Sequence, residues 1–344
     1  MRRIVLGEAV FQSIPDVPGP KPGIRTAYTR ERPSRQDEKT PCEGGGVSKT
    51  KIQAGRRTVE ISRPEKLLFP ADGISKGDLV DYYRAVAARM VPHLRGRPLM
   101  LERHPDGIEG PGFMQKEVPD HFPDWIDRAE LPKEAGTVTH VLCDDRASLI
   151  YLANQGCITP HRWLSKADRP DHPDRVVFDL DPADEGFAPV RQAAHWLHEL
   201  LEELSLPSLP MTTGSRGIHI IVPLDRKAPF EEVRGFARDL AEKLSSRHPD
   251  QLTTAPRKEA RKGRLYLDVQ RNGYAQTAVA PYAVRARAGA PVAAPMEWGE
   301  LDDPALGARR WTLTMVEDLL KRDPWSNAPR GRSLAVARRR LAEI

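Results

Sequence analysis

Val176-Val177-Phe178-Asp179-Leu180-Asp181-Pro182 is the stretch that decides how this 344-residue chain is read. Three apolar residues in a row, two of them β-branched, predict a short buried strand, and Pro182 ends it because proline has no N–H to give a neighbouring strand. In a strand, residues i and i+2 share a face, so Asp179 and Asp181 point the same way with Cα atoms roughly 6–7 Å apart. Two carboxylates held that close repel unless a cation sits between them, and hard divalent ions take oxygen ligands. A lone pair of this kind is more often what a solvent-facing strand edge carries, so its surroundings decide.

Downstream, Val190, Ala193, Trp196, Leu197, Leu200, Leu201 and Leu204 recur at helical spacing. A Gly/Ser turn, Met211 to Gly217, leads into a predicted strand at Ile218 to Val222. A second amphipathic helix follows on Phe230, Val233, Phe236, Leu240 and Leu244, then a strand at Leu265 to Val269. Strand, helix, strand, helix, strand predicts an α/β layer. Asp268 lies in the last strand and supplies the third carboxylate that two metals about 3.5–4 Å apart require for in-line phosphoryl transfer. In the turn, Gly214 and Gly217 let backbone amides approach an anion, while Ser215, Arg216 and His219 offer donors. The spacing is not that of a Walker loop. Arg257, Lys258, Arg261, Lys262 and Arg264 flank Asp268, with Arg285 and Arg287 after it, cations suited to a triphosphate.

Upstream, Ser75 caps a predicted helix whose apolar face is Leu79, Tyr82, Tyr83, Val86 and Met90. Leu99 to Leu101 reads as a strand, residues 104–133 as turn-rich, and Leu149 to Gln155 as helical or buried. Residues 12–58 are rich in Pro, Gly, Ser and charge without lasting periodicity, which predicts a disordered basic tail over 1–57 and an ordered body from near Val59. Residues 1–58 hold 12 basic and 6 acidic side chains, so the net charge of +5 sits there and the body is near neutral. Placed basic patches in a neutral body indicate an anion site rather than a uniformly basic binder. Cys42, Cys143 and Cys157 form no C-x-x-C pair, which supports neither a disulfide framework nor a cysteine zinc site. No apolar run is long enough to span a membrane or serve as a secretory signal, and a cytoplasmic protein is expected.

Together these elements resemble the polymerase domain of bacterial ligase D, within the archaeo-eukaryotic primase superfamily, over about Val59 to Leu320. The matching stretches are Lys66-Leu67-Leu68-Phe69-Pro70, Lys76-Gly77-Asp78-Leu79, Gly112-Phe113-Met114-Gln115-Lys116, Asp179-Leu180-Asp181-Pro182, Gly214-Ser215-Arg216-Gly217-Ile218-His219, and Asp268 to Asn272 followed by Gln276 to Tyr282 and Arg285. The resemblance implies a primase-polymerase fold over 58–330, with an RRM-like catalytic sheet at about 174–290 packed on a mixed N-terminal half, and a basic C-terminal end at 331–344. It implies that Asp179, Asp181 and Asp268 hold two divalent ions, Mn2+ or Mg2+, and that Thr213, Ser215, Arg216, His219, Arg285, Arg261 and His161 bind the nucleoside triphosphate. It further implies that Lys66 and Lys76 grip the 5′-phosphate of a downstream strand and that Phe113 supports the templating base. Position 114 is Met where an aromatic is common, and Thr213 and Arg216 stand where Ser and Lys are usual.

The activity implied is extension of 3′-hydroxyls at gaps and double-strand breaks in non-homologous end joining, at the nucleoid, beside a Ku-like end-binding protein. The chain length leaves no room for ligase or nuclease modules, so a separate ligase is expected. Two rivals remain at this stage: a primase starting chains de novo, and an idle end-binding module. His195, His198, Trp125, Trp163, Trp298, Trp311 and Trp325 read as packing or surface residues, and Arg338-Arg339-Arg340 as a solvated helix end.

Overall fold

The computed structural model describes residues 48–133, 135–184 and 186–344. Cys42 and most of the expected tail lie outside them. The described chain opens on two antiparallel hairpins, β1 (Lys49–Ala54) with β2 (Arg57–Ser62) and β3 (Leu67–Phe69) with β4 (Ile74–Ser75). Strand β1 falls inside the stretch expected to be tail. Its Lys49, Thr50 and Lys51 face solvent, and only Ile52 and Ala54 turn toward the core, too short an alternation for a sequence pattern to register.

Helix α1 (Lys76–Leu94) begins where expected. The Ser75 hydroxyl accepts from the Asp78 N–H while the Asp78 carboxylate accepts from the Ser75 N–H, a reciprocal cap that satisfies two otherwise orphaned donors. Then come β5 (Leu99–Arg103), β6 (Phe113–Gln115), β7 (Arg128–Pro132), β8 (Thr137–Val141), α2 (Arg146–Asn154) and β9 (Cys157–Trp163). The C-terminal half holds β10 (Arg175–Asp181), α3 (Ala188–Glu203), β11 (Leu209–Thr212), β12 (Ile218–Pro223), α4 (Phe230–Arg247), β13 (Leu252–Thr253), α5 (Lys258–Arg261), β14 (Leu265–Asp268), β15 (Thr277–Val279), α6 (Val316–Leu320) and α7 (Leu334–Glu343).

Two sheets carry the architecture. One runs in the order β11-β12-β10-β14-β13, antiparallel except for the β13–β14 pair, and the other is β15-β9-β5-β6, antiparallel throughout. The first follows the β-α-β-β-α-β path of an RRM-like unit, with β10 central. Alternation along β10 sorts its side chains. Val176, Phe178 and Leu180 join Ile218, Ile220 and Val222 in an apolar layer under α3 and α4, each buried aliphatic or aromatic side chain contributing about 1.5–3 kcal/mol. Val177 belongs to the other large core cluster, on the opposite face. Asp179 and Asp181 continue the Val177 face, away from the helices.

The chain crosses between the sheets just after Asp268. A short 3-10 turn, Gln270–Asn272, leads into β15, whose Val279 pairs with His161 of β9. Asn272 is fully buried and seals the joint: its side-chain oxygen accepts from Val177 N–H at 2.8 Å and its amide donates to the carbonyls of Val177 at 2.7 Å and Val269 at 3.0 Å. Thus one side chain replaces the strand partner that β10 loses beyond the end of β14 at Asp268.

The boundary drawn at residue 330 cuts through packed structure. Leu334 and Ala337 of α7 are buried in the layer under α4, and Arg338 pairs with Glu232 at 2.6 Å. No helix among the described residues is long and apolar enough to cross a membrane.

Candidate active site

The register of the first sheet lines up His219, Asp179 and Asp268 across β12, β10 and β14, since Asp179 pairs with both of the others. Asp181 lies two residues along β10 on the same face. One oxygen from each of Asp179, Asp181 and Asp268 falls within 4.8 Å of the others. Asp179 is 3% exposed, and its Oδ2 takes the Arg271 Nε–H at 2.8 Å and faces His219 Nε2 at 3.3 Å. Burial alone would raise its carboxyl, but the His219 and Arg271 charges and hydrogen bonds overcome that and hold it well below the usual range. The Asp181 carboxyl moves the other way: burial, then the Asp179 and Asp268 charges, push it up. Asp268 accepts from its own turn, Gln270 N–H at 2.8 Å, and from the Tyr266 hydroxyl at 3.3 Å.

Asp179 and Asp181 line a cleft of about 350 Å³ together with His161, Thr213, Ser215, Arg216, His219, Arg261 and Arg285, and Asp268 joins them through an oxygen within 4.8 Å of theirs. The fold therefore brings together every residue expected at the metal and triphosphate, drawn from both sheets and the loops between them. Their roles divide. Arg216 donates to the Pro182 carbonyl at 2.6 Å across the end of β10, and Arg285 to the Thr213 carbonyl at 2.9 Å. Arg261 lies over the Tyr266 ring at 4.0 Å and donates to the Pro256 carbonyl at 2.9 Å.

The turn differs from the open anion cradle its sequence suggested. Thr213 Oγ1 accepts the Ser215 and Gly217 amides at 3.2 Å each and donates to the Gly217 carbonyl at 3.0 Å, so this hydroxyl and those two N–H groups brace the turn itself. Gly217 is required for close packing: a Cβ there would stand 2.0 Å from the Leu180 carbonyl oxygen at the end of β10.

Lys66 and Lys76 lie outside the lining of this cleft, beside β3 and β4, where Lys76 N–H donates to the Lys66 carbonyl at 2.7 Å and so sets the two residues side by side. Lys66 pairs with Asp106 at 2.6 Å, and Lys76, only 5% exposed, donates to Ser62 at 3.1 Å. Burial, with the Arg63 and Lys66 charges, brings the Lys76 ammonium down to about 8. The motif reading passed over Arg63, whose charge bears on Lys76.

Phe113 sits on β6, 47% exposed, paired with Arg103, whose guanidinium lies 5.3 Å from its ring. Met114 pairs with Glu102 and so shares the face of Glu102 and His161, while Phe113 points to the other side. Strand alternation, not residue type, decides which of the two shares a face with His161.

Two further residues, one behind the cleft and one lining it, escaped the sequence. Glu102 Oε2 lies 3.4 Å from His161 Nε2, and although burial favours its neutral form, the hydrogen bond and charge of His161, with Thr159 and Arg285, hold its carboxyl down at about 2. Arg271 lies inside the matching stretch Asp268 to Asn272 but has no role implied there, because only the turn after Asp268 carries it back onto Asp179. The packing readings elsewhere are borne out in contacts: His198 stacks on Trp298 at 3.8 Å, Trp163 meets His140 at 5.2 Å, and Trp325 meets His93 at 5.4 Å.

The donor set fits a divalent cation. It is all carboxylate oxygen, and like charges crowd it enough to push Asp181 toward its neutral form, a penalty that a bound cation relieves.

Fold and site together define a nucleotidyltransferase-type enzyme of primase-polymerase architecture. The family model described as LigD, primase-polymerase domain, matches residues 75–325. The chain belongs to the LigD primase-polymerase domain family. It is 35% identical over 263 residues to the multifunctional non-homologous end joining DNA repair protein LigD of Mycobacterium tuberculosis, covering 74% of this chain and 34% of that one. It is 30% identical over 347 residues to LigD of Pseudomonas aeruginosa, covering 98% and 40%. The polymerase domain of Mycobacterium tuberculosis ligase D, solved in complex with DNA, superposes with a TM-score of 0.73 at 34% identity, over 77% of this chain and 95% of that one. The chain spans about a third of the length of the mycobacterial relatives.

Proposed function

We propose that the chain is a template-dependent nucleotidyltransferase that extends 3′-hydroxyls at gaps and broken ends in non-homologous end joining. The observation that carries this reading is the convergence of Asp179, Asp181 and Asp268 within 4.8 Å at a cleft walled by arginines. The carboxylates would hold two divalent ions, Mn2+ or Mg2+, which when bound lower the pKa of an attacking hydroxyl and neutralise a leaving pyrophosphate. Arg216, Arg261 and Arg285 balance the charge of a nucleoside triphosphate and orient it, and His219 fixes the Asp179 carboxylate. Glu102 fixes His161 through the imidazole Nε2. Lys66 and Lys76, with Arg63, supply charge for a downstream 5′-phosphate, and Phe113, exposed on β6 with Met114 on the strand's other face, offers an apolar platform for a templating base. DNA, nucleotides, a Ku-like protein and a ligase acting on the product are the partners this chemistry asks for.

Primer extension on a gapped duplex, with Mn2+ or Mg2+ and with ribo- or deoxynucleotides, tests it. Asp179→Ala with Asp181→Ala should abolish incorporation while leaving DNA binding. Incorporation persisting in that variant would sink the mechanism, and efficient synthesis on bare single strands would favour a primase.

A further inference from the structure

Arg271 is the one arginine whose side chain touches a carboxylate of the cluster among the described residues. Its Nε–H donates to Asp179 Oδ2 at 2.8 Å, the oxygen that His219 also faces, while its Nη1 reaches only distantly toward the Thr277 carbonyl at 3.4 Å. The side chain is 38% exposed, against 5% for that of Asp179, so it can leave the carboxylate for solvent or for an entering anion without breaking the core. Its backbone is held firmly, since the neighbouring Asn272 is fully buried and bonded to Val177 and Val269. A monovalent cation on a firm base, its tip held only by the long bond to Thr277, is thus set against a carboxylate that divalent ions would share.

We propose that Arg271 competes with divalent cations for Asp179 and so sets the metal concentration at which the carboxylate cluster fills. The inference rests on the reading that Asp179, Asp181 and Asp268 hold divalent ions. With Oδ2 taken by Arg271, Asp179 offers a metal only Oδ1, and the guanidinium charge repels the ion from a few Å away. A triphosphate entering the cleft gives the guanidinium another anion to pair with and frees Oδ2, so nucleotide and metal load together. The site then resists adventitious filling when nucleotide is scarce.

The test is calorimetric titration of the full chain with Mn2+ alone, without DNA or nucleotide, followed by the same titration with a non-hydrolysable triphosphate. Arg271→Gln should bind Mn2+ at least tenfold more tightly than wild type, a difference of about 1.4 kcal/mol. Arg271→Lys, whose Nζ extends one atom beyond the arginine Nε, should stay within threefold of wild type. Arg271→Met keeps the apolar stem without the charge and provides an independent removal of the cation should the glutamine variant fold poorly. The triphosphate should tighten Mn2+ binding more in wild type than in Arg271→Gln. Equal or weaker Mn2+ affinity on removing the charge overturns the proposal and leaves the polymerase reading intact. Mn2+ binding that survives Asp179→Ala with Asp181→Ala overturns both.

Discussion

Asp181 illustrates how a single residue trades stability for chemistry. Its carboxyl is pushed up by burial and by the charges of Asp179 and Asp268. Asp181→Asn removes one like charge from the cluster and should raise the melting temperature in chelator by about 1–3 °C while eliminating nucleotide incorporation. Added Mn2+ should then stabilise wild type but not the variant, through ligand linkage. A variant that melts no higher in chelator would show that the neighbouring cations already compensate the crowding. Asn272 lies at the other extreme. Asn272→Ala leaves the Val177 N–H and carbonyl without their partner in a dry interior, which should cost about 2–4 kcal/mol in denaturant unfolding. If the loss is under 1 kcal/mol, water has taken the amide's place. Neither position was equally legible beforehand: Asp181 stood out by its spacing from Asp179, whereas Asn272 is one polar residue among many until the strand it completes is known.

At the level of elements, the β3–β4 hairpin and the start of α1 place Lys66 and Lys76 together, and the pH behaviour of that pair follows from burial. The folded Lys76 ammonium loses its proton near pH 8, well below the value of about 10.4 for an exposed lysine. Between those limits the unfolded chain binds more protons than the folded one, so this group adds stability as pH rises from about 8 to about 10.4. Phosphate affinity moves oppositely, because the cation is lost as pH rises through about 8. The preference for a 5′-phosphorylated over an unphosphorylated gap should therefore fall between pH 7 and 9, and Lys76→Met should flatten that dependence. A wild-type preference unchanged at pH 9 would mean that bound phosphate keeps Lys76 protonated or that Lys66 and Arg63 carry the contact. The elements themselves were readable where packing reinforces pattern. The α1 face, α3, α4 and β10 all show their period in sequence; β1, β6 and β7 do not, being short and largely exposed.

Across the whole molecule, the proposed reaction requires two sites to be engaged by one DNA. A gap presents its 3′-hydroxyl to the carboxylate cleft and its 5′-phosphate to the lysine pocket, and linked contacts raise the effective concentration of one end when the other is held. Lys66→Ala with Lys76→Ala should therefore reduce extension on a phosphorylated gap to the level of an unphosphorylated one, with little change on a simple recessed end. Equal losses on both substrates would assign the lysines to general DNA attraction instead, which salt titration would reveal as a reduced slope. The order of the motifs and the alternation of apolar and acidic residues along β10 determined the family, the RRM-like sheet and the identity of the three carboxylates, because strand period and residue chemistry are local properties. Only the tertiary structure decided that Thr213 braces its own turn, that Met114 rather than Phe113 shares the face of His161, that Arg271 lines the cleft and that Glu102 backs His161. Those facts depend on register and on the crossing from one sheet to the other, which bring together residues far apart in the chain and leave no trace in local spacing.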